Sequence, residues 1–485
     1  MEGLSARISG FGAGSEAAAM KAERSARWSI LSAGKWAHML GLDKAIAYTV
    51  GARVCSIVGS VGTVLLIVHF LSPVEQGYYY TLLSLVNLQV VFELGFSVVI
   101  LQLAAHECIH LSLPHDGSIA GSETAHARLA SIFQKTVRWY LAASALMILV
   151  LPIAGAFFFS RRTGSGAGVA WQGPWAVAVV SCVALFFLNP LSSFIEGCGE
   201  VRQVAGMRLC QAAGGIAAAW ITLILHHGLY APAMVMGVYI VVALAFLWKR
   251  HRLLLGLLRY GSGAAAVSWR EEVWSFQWKI GVSSLCSYFT IQVFIPALFL
   301  LRGPTEAGQM GMSISIAGYL WTVVLAWMST KATPFGQMIA RGEFDRLDRS
   351  FFRTLWQAVA VLGALLIACM FGVLAIQHVM PKVAVRMVSP RLFALLLLTA
   401  LSTFVVQSEA VYLRARKREP FLVQSLCVAA LTLLGVVALI PRWGVAGSTV
   451  TYFISSGVIA IISATAIFQK WRGAEHMRRR MALAC

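Results

Sequence analysis

A succession of apolar segments, each about as long as a bilayer crossing requires, constrains this chain more than any other feature. A helix rising ~1.5 Å per residue needs ~20 residues to cross a hydrocarbon core of ~30 Å. Twelve candidates meet that length: 46–71, 78–105, 139–160, 174–198, 209–227, 229–248, 280–301, 310–330, 355–377, 392–413, 421–440 and 444–468. Hydrocarbon offers backbone groups no partner, and alternating barrel strands are absent, so the segments are expected to be helical. With 59% hydrophobic and 12% charged residues and a mean hydropathy of +0.75, the chain is not an ordinary soluble domain. The expected fold class is an all-α polytopic membrane protein of about 12 transmembrane helices in two six-helix bundles.

The pattern is also said twice. An apolar helix ends in Pro73-Val74-Glu75-Gln76-Gly77 and another follows; 231 residues later the same arrangement recurs around Pro304-Thr305-Glu306-Ala307-Gly308. Deeper in each half, Glu196 precedes Gln211 by fifteen positions, as Glu409 precedes Gln424. Paired bundles suit transport, because one can rock against the other around a central site. An even number of helices per half relates the bundles by an axis along the membrane normal. The expected organisation is a basic leader (1–45), a first bundle (46–248), a linker with an interfacial helix (249–279), a second bundle (280–468) and a basic tail (469–485). The stretch from Ala17 to Lys44 reads either as an amphipathic surface helix or as a disordered tail. No cleavable signal peptide is apparent at the start of the sequence.

A net charge of +19 raises nucleic acid as a partner, but its distribution argues for topology instead. Of the 39 Lys and Arg, 31 fall on the side that would hold both termini, seven fall opposite, and Arg53 lies within a span. That asymmetry predicts cytoplasmic termini. The outer loops are too short for a catalytic domain, and no GxxxxGK[ST] sequence is present, so neither an enzyme nor an internal ATP motor is expected. The nine cysteines are scattered without a CxxC pair and predict no disulfide framework. His106, His110, His115 and His126 share a loop without an evident ligand set, so no metal site is expected.

Arg53 is the sharpest functional candidate. A mid-helix arginine is costly in lipid, so it either faces a wet lumen or snorkels to the interface. Ser56, Ser60 and Thr63 share its helical face. The second half offers a milder stripe of Ser283, Ser284, Ser287 and Thr290, and Lys331 borders the eighth span, where it can meet an anionic headgroup; Ser287 and Lys331 join Arg53, Ser56, Ser60 and Thr63 as the expected lumen residues that bind substrate. Glu93, with Gln89 and Ser97 at i±4, either pairs with Arg53 or carries a coupling proton. Glu196 and Glu409 either pair with bases such as Arg202 or Arg414 or act as gates.

Leu71-Ser72-Pro73-Val74-Glu75-Gln76-Gly77-Tyr78, followed by Phe92-Glu93-Leu94-Gly95-Phe96, resembles the opening helices of bacterial polysaccharide exporters. More specifically it is similar to O-antigen flippases of the multidrug/oligosaccharidyl-lipid/polysaccharide (MOP) exporter superfamily, over about residues 46–470. The resemblance implies a MATE-like pair of six-helix bundles in the bacterial inner membrane around a cationic cavity. It implies translocation of undecaprenyl-pyrophosphate-linked oligosaccharide, an O-antigen or exopolysaccharide repeat unit of lipopolysaccharide or polysaccharide biosynthesis. Membrane lipids, the lipid-linked sugar, and polysaccharide polymerase and chain-length proteins are the implied partners. Arg53 matches a basic residue that relatives place in the first helix. No cofactor is implied, and H+ or Na+ stays open as the coupling ion. A MATE-type drug or metabolite exporter is the alternative; a membrane glycan polymerase or ligase, from another class, would resemble its kind in a large outer loop that this chain lacks.

Overall fold

The structure is a computed structural model that describes residues 44–109, 111–112, 120–160, 168–261, 268, 274–414 and 421–484. The leader expected at 1–45, all but its last two residues, and His110 and His115 lie outside the described residues. In chain order the helices are α1 (Lys44–Phe70), α2 (Pro73–Val86), α3 (Gln89–Glu93), α4 (Phe96–Cys108), α5 (Glu123–Ser160), α6 (Gln172–Gly197), α7 (Val201–Ile224), α8 (Ala231–Trp248), α9 (His251–Arg259), α10 (Trp274–Ile291), α11 (Phe294–Leu301), α12 (Pro304–Ser329), α13 (Ala332–Ala340), α14 (Phe344–Val379), α15 (Pro381–Ala384), α16 (Pro390–Arg414), α17 (Leu422–Tyr452) and α18 (Ala460–Ala484). A two-residue antiparallel ladder, Leu111–Ser112 with Ala120–Gly121, precedes α5. The protein is an all-α polytopic membrane protein.

Among the described residues nine helices are long and apolar enough to cross a membrane, and a tenth crossing is the pair α10–α11, bent by 44°. Two further breaks account for the remaining apolar segments. The run Leu422–Gly473 spans 52 residues, which at ~1.5 Å each is more than twice the thickness of a bilayer core. It divides at Gly444, whose φ of 54° and ψ of −129° are not helical. The second apolar segment, expected as one helix over 78–105, is instead three pieces. Leu94 and Gly95 turn it with φ of 48° and 68°, a left-handed step that interrupts the ladder.

Backbone freed at such breaks needs a protein partner at membrane depth. At the α10–α11 bend the Gln292 carbonyl accepts a 2.8 Å bond from Ser84 Oγ of α2, and Tyr288 returns one of 3.2 Å to the Ser84 carbonyl. The two broken spans therefore brace each other across the halves of the molecule.

Small residues let helices approach. Gly59 and Gly62 of α1 lie beneath Ile216 and Trp220 of α7, and Trp220 Nε1 donates to Thr63 Oγ1 at 3.1 Å. The repeated glutamines play the same part in each half. Gln211 donates to the Tyr239 carbonyl at 3.0 Å, and Gln424 to the Ala460 carbonyl at 2.7 Å, each joining one span to the next.

Helices α5 and α14, of 38 and 36 residues, exceed the hydrocarbon thickness and project at the end rich in Lys and Arg, here the basic end. There Leu253 and Leu257 of the amphipathic α9 are buried, and Gln134 of α5 donates to the carbonyls of Leu257 (2.9 Å) and Tyr260 (2.8 Å), closing its C-terminal turn. Asp348 of α14 accepts from Tyr412 of α16 and from Arg472 Nε at 2.7 Å, docking the last helix beside them.

Candidate translocation path

At the far end, opposite the basic one, the repeated Pro-x-Glu-x-Gly motifs meet each other. Helix α2 begins with a capping box in which Ser72 Oγ accepts from Glu75 N (3.2 Å) and Glu75 Oε2 accepts from Ser72 N (2.8 Å). The second copy starts from Gly303, which has no side chain to reciprocate. Glu306 accordingly reaches Val445 N at 3.0 Å and Arg302 at 3.2 Å, clamping the Gly444 turn. Where α2 and α12 cross, a methyl on Gly77 would overlap the Pro304 carbonyl, and one on Gly308 would sit 2.9 Å from Gly77 N. Only glycine fits.

Gln76 seals this crossing. It is 1% exposed, and its Nε2 donates to the carbonyls of Gly308 (3.0 Å) and Arg386 (3.1 Å). Arg386, in the loop before α16, reaches back to the Leu71 carbonyl, and its guanidinium lies 3.4 Å from Gln76 Oε1. Burial draws the pKa of Arg386 below its ordinary value, and the nearby Glu75 opposes that shift. Gln309 adds a 2.8 Å bond to the Val385 carbonyl. Glu75, Gln76, Gly77 and Gly308 stand in the repeated motifs seen in sequence; Arg386 does not stand out there, because a loop arginine carries no periodic pattern.

About one helical turn below the seal lies a chamber of 430 Å³ between the halves. Tyr80, Ser84 and Asn87 come from the first half, and Gln292, Tyr319 and Thr322 from the second; no charged residue lines it. Its hydroxyls and amides donate and accept hydrogen bonds beside aromatic faces. A second cavity, 150 Å³, lies within the second half among α10, α16, α17 and the π-helical turn Phe453–Ile459. Ser283, Ser287, Thr290, Gln407 and Gln424 line it. Two of its lining atoms, Gln424 Oε1 and Ser456 Oγ, are buried without a hydrogen-bond partner.

The other sequence candidates distribute as follows. On α1, Val54, Val58, Val61 and Leu65 form an exposed aliphatic stripe. Residues step by about 100° around a helix, which places Arg53, Ser56 and Ser60 well around from that stripe. Ser60 faces the Tyr319 hydroxyl of α12, so this face looks between the halves. Arg53 is exposed there. Ser56, Ser60 and Thr63 bond to carbonyls one turn back at 2.8, 2.6 and 2.7 Å, which satisfies their hydroxyls within the helix.

Several expectations need correction. Arg53 and Glu93 make no ion pair with each other. The Leu94–Gly95 break interrupts the helical face expected of Glu93, although Ser97 still meets Tyr140 (3.2 Å), the phenol near Glu93, while Gln89 accepts from Cys182 (3.5 Å). Glu196 pairs with Arg208 of α7 at 2.6 Å rather than with Arg202, because Arg208 lies nearly two turns further along α7 and reaches back over it. Glu409, 3% exposed, does not pair with Arg414; its Oε1 accepts from Thr465 at 2.9 Å and its Oε2 is unpartnered. A partner at i+5 on one helix points to a different face. Lys331 and Ser287, grouped with Arg53 as lumen residues, line separate cavities, Lys331 beside Arg346, Arg349 and Arg353.

The fold matches that of solved membrane transporters. One is a multidrug resistance MATE family transporter of the MOP superfamily in an inward-facing conformation (TM-score 0.56, 12% identity, 89% of this chain and 95% of that one). Another is the lipid II flippase MurJ in an inward closed conformation (0.56, 12%, 88% and 89%). A third is a MOP superfamily transporter from Pyrococcus furiosus, whose description is of a binding pocket of reverse polarity (0.52, 11%, 89% and 96%). No protein-family model and no curated protein matches the sequence. The chain has the fold of the MOP exporter superfamily, shared by drug transporters and lipid flippases.

Proposed function

We propose that this protein is a flippase that moves undecaprenyl-pyrophosphate-linked oligosaccharide from the cytoplasmic to the periplasmic leaflet of a bacterial inner membrane by alternating access. The carrying observation is the division of polarity along the path: an uncharged chamber of hydroxyls, amides and tyrosines beneath the far-end seal, and an arginine on the inward face of α1 nearer the basic end. Sugars suit the first, and a pyrophosphate suits the second. A lone anion crossing hydrocarbon would lose hydration worth tens of kcal/mol. A polar path between bundles removes that cost while the polyprenyl tail stays in lipid.

On this reading the basic end is cytoplasmic, in accord with the charge asymmetry, and the far end is the periplasmic gate in its closed state. Glu409, buried on α16 with one oxygen unpartnered, is the residue assigned to coupling by H+ or Na+. No covalent chemistry is assigned, and the polymerase and chain-length proteins that would take the product are partners in the same sense.

The test is a strain lacking this gene, scored for surface glycan and for accumulated lipid-linked oligosaccharide, and complemented with the wild-type chain or with Arg53→Ala. Loss of glycan restored by wild type and not by the variant is expected. Normal glycan in the strain itself, with no other exporter present, would reject the function. A MATE-type drug exporter, the reading that the neighbouring folds equally accommodate, would instead change drug sensitivity with glycan intact.

A further inference from the structure

Lys331, Arg346, Arg349 and Arg353 surround a cavity of 590 Å³ at the basic end, between the end of α12 and the start of α14. Trp327, Ser350, Thr354 and Gln357 complete its lining. Four cations around one space repel each other unless something offsets them. Arg346 is 3.1 Å from Glu343, and Arg349 Nε donates to the Asp345 carbonyl at 3.3 Å. The side chains of Lys331 and Arg353 make no ion pair or hydrogen bond among the described residues. No carboxylate lines the cavity, so its excess charge is positive.

What lies along the same helix face identifies the ligand. Arg346, Arg349, Arg353 and Gln357 follow at three- and four-residue spacing, and the row continues through Ala360 and Ala364 to Ile367 and Phe371. All are exposed, Ile367 by 60% and Phe371 by 67%, whereas Leu347, Phe351, Leu355, Ala358, Leu362 and Leu366 on the opposite face are buried. Trp356, 69% exposed, sits beside Arg353 where aromatic side chains mark the membrane interface. Below the cavity the same exposed face of α14 thus continues from cations past an indole to small and aliphatic residues, over roughly 27 Å from Arg353 to Phe371. A soluble phosphate would use only its upper end. A molecule with an anionic head and hydrocarbon tails uses all of it.

We infer that the α12–α14 groove binds one acidic phospholipid of the basic-side leaflet, its phosphate held by Lys331, Arg349 and Arg353 and its acyl chains laid along Ala360, Ala364, Ile367 and Phe371. Guanidinium groups bind phosphate oxygens in pairs, and basic pockets between transmembrane helices are suited to such headgroups. The site is separate from the chamber between the halves and does not depend on what the cargo is. It ties the charge of the surrounding leaflet to the position of α12, which carries Gly308 at the seal and Tyr319 at the chamber and is followed two residues past its end by Lys331.

The test is titration of purified full-length protein with phosphatidylglycerol or phosphatidylcholine, with bound lipid counted by native mass spectrometry. Wild type should retain phosphatidylglycerol in preference to phosphatidylcholine. Removing two arginines, at about fivefold each, should weaken phosphatidylglycerol by about 30-fold in Arg349→Gln/Arg353→Gln, while Arg349→Lys/Arg353→Lys keeps most of it. Should the double glutamine variant fail to fold, Lys331→Gln, at a partly exposed and unpaired position, provides an independent readout of about fivefold. Equal retention of phosphatidylglycerol by wild type and by the folded variants, or no preference over phosphatidylcholine, overturns the inference. Inorganic phosphate or pyrophosphate binding with the same arginine dependence and stripping the lipid at low millimolar concentration also overturns it, in favour of a soluble-phosphate site. Ile367→Asp, which leaves every cation in place, should weaken phosphatidylglycerol; unchanged binding in that folded variant overturns the placement of the acyl chains along this face.

Discussion

At the scale of single residues, charge is the scarce resource inside this protein. Arg53 is exposed, and among the described residues nothing pairs with it, so replacing it should leave folding intact and act on transport alone. A charge-assisted hydrogen bond to phosphate contributes about 1.5–3 kcal/mol, so Arg53→Ala should slow export of the lipid-linked sugar by roughly 10- to 100-fold, with Arg53→Lys between. An unchanged export rate in vesicles carrying Arg53→Ala would remove it from the path. Glu409 makes the opposite case: buried, bonded once to Thr465 and open at its other oxygen. If it carries the coupling charge, Glu409→Gln should abolish dependence on an ion gradient while the melting temperature stays near that of wild type. A variant that still responds to the gradient would assign coupling elsewhere. These positions were legible in sequence because a charge within an apolar run is conspicuous. Arg386 and Tyr319 were not, and Gln76 showed only as part of a repeated motif, since their importance comes from which segments meet, and a single sequence does not record that.

At the scale of helices, breaks and glycines decide the geometry. The apolar lengths correctly gave helical spans, but run length carries no record of where a helix turns. The Leu94–Gly95 step and the α10–α11 bend are fixed by left-handed backbone and by bonds between the halves, and Phe92-Glu93-Leu94-Gly95-Phe96 reads as continuous helix without them. The Gly77–Gly308 crossing gives a direct test. In Gly77→Ala the new methyl meets backbone of α12, which cannot rotate aside as a side chain can. The variant should lose about 1–3 kcal/mol, the usual cost of overpacking, seen as a lower melting temperature. Wild-type stability would show that the crossing is loose. Gly444→Ala should cost a similar ~1–3 kcal/mol, because a residue with a Cβ at that positive φ is strained and would also strike the Glu306 carboxylate; an unchanged melting curve would contradict this.

At the scale of the whole molecule, two halves built on one pattern are closed against each other where their repeated motifs cross. The repeated Pro-x-Glu-x-Gly motif is visible in sequence but its crossing is not, since that follows from α2 and α12 being brought together at the far end. Opening the path to that side requires the Gln76 bonds to Gly308 and Arg386 and the Arg386 bond to Leu71 to break and new contacts to form at the basic end, since a rocking pair of bundles cannot close both ends or open both ends in one step. The most direct measurement is double electron–electron resonance on two spin-label pairs in a background freed of native thiols: Leu225→Cys with Trp443→Cys at the far end, and Arg202→Cys with Arg341→Cys at the basic end. All four positions are exposed, and each pair joins the two halves. On adding a lipid-linked oligosaccharide under a coupling gradient, the far-end distance should lengthen while the basic-end distance shortens. Distances that stay fixed, or that move together in the same direction, would contradict alternating access between the two bundles.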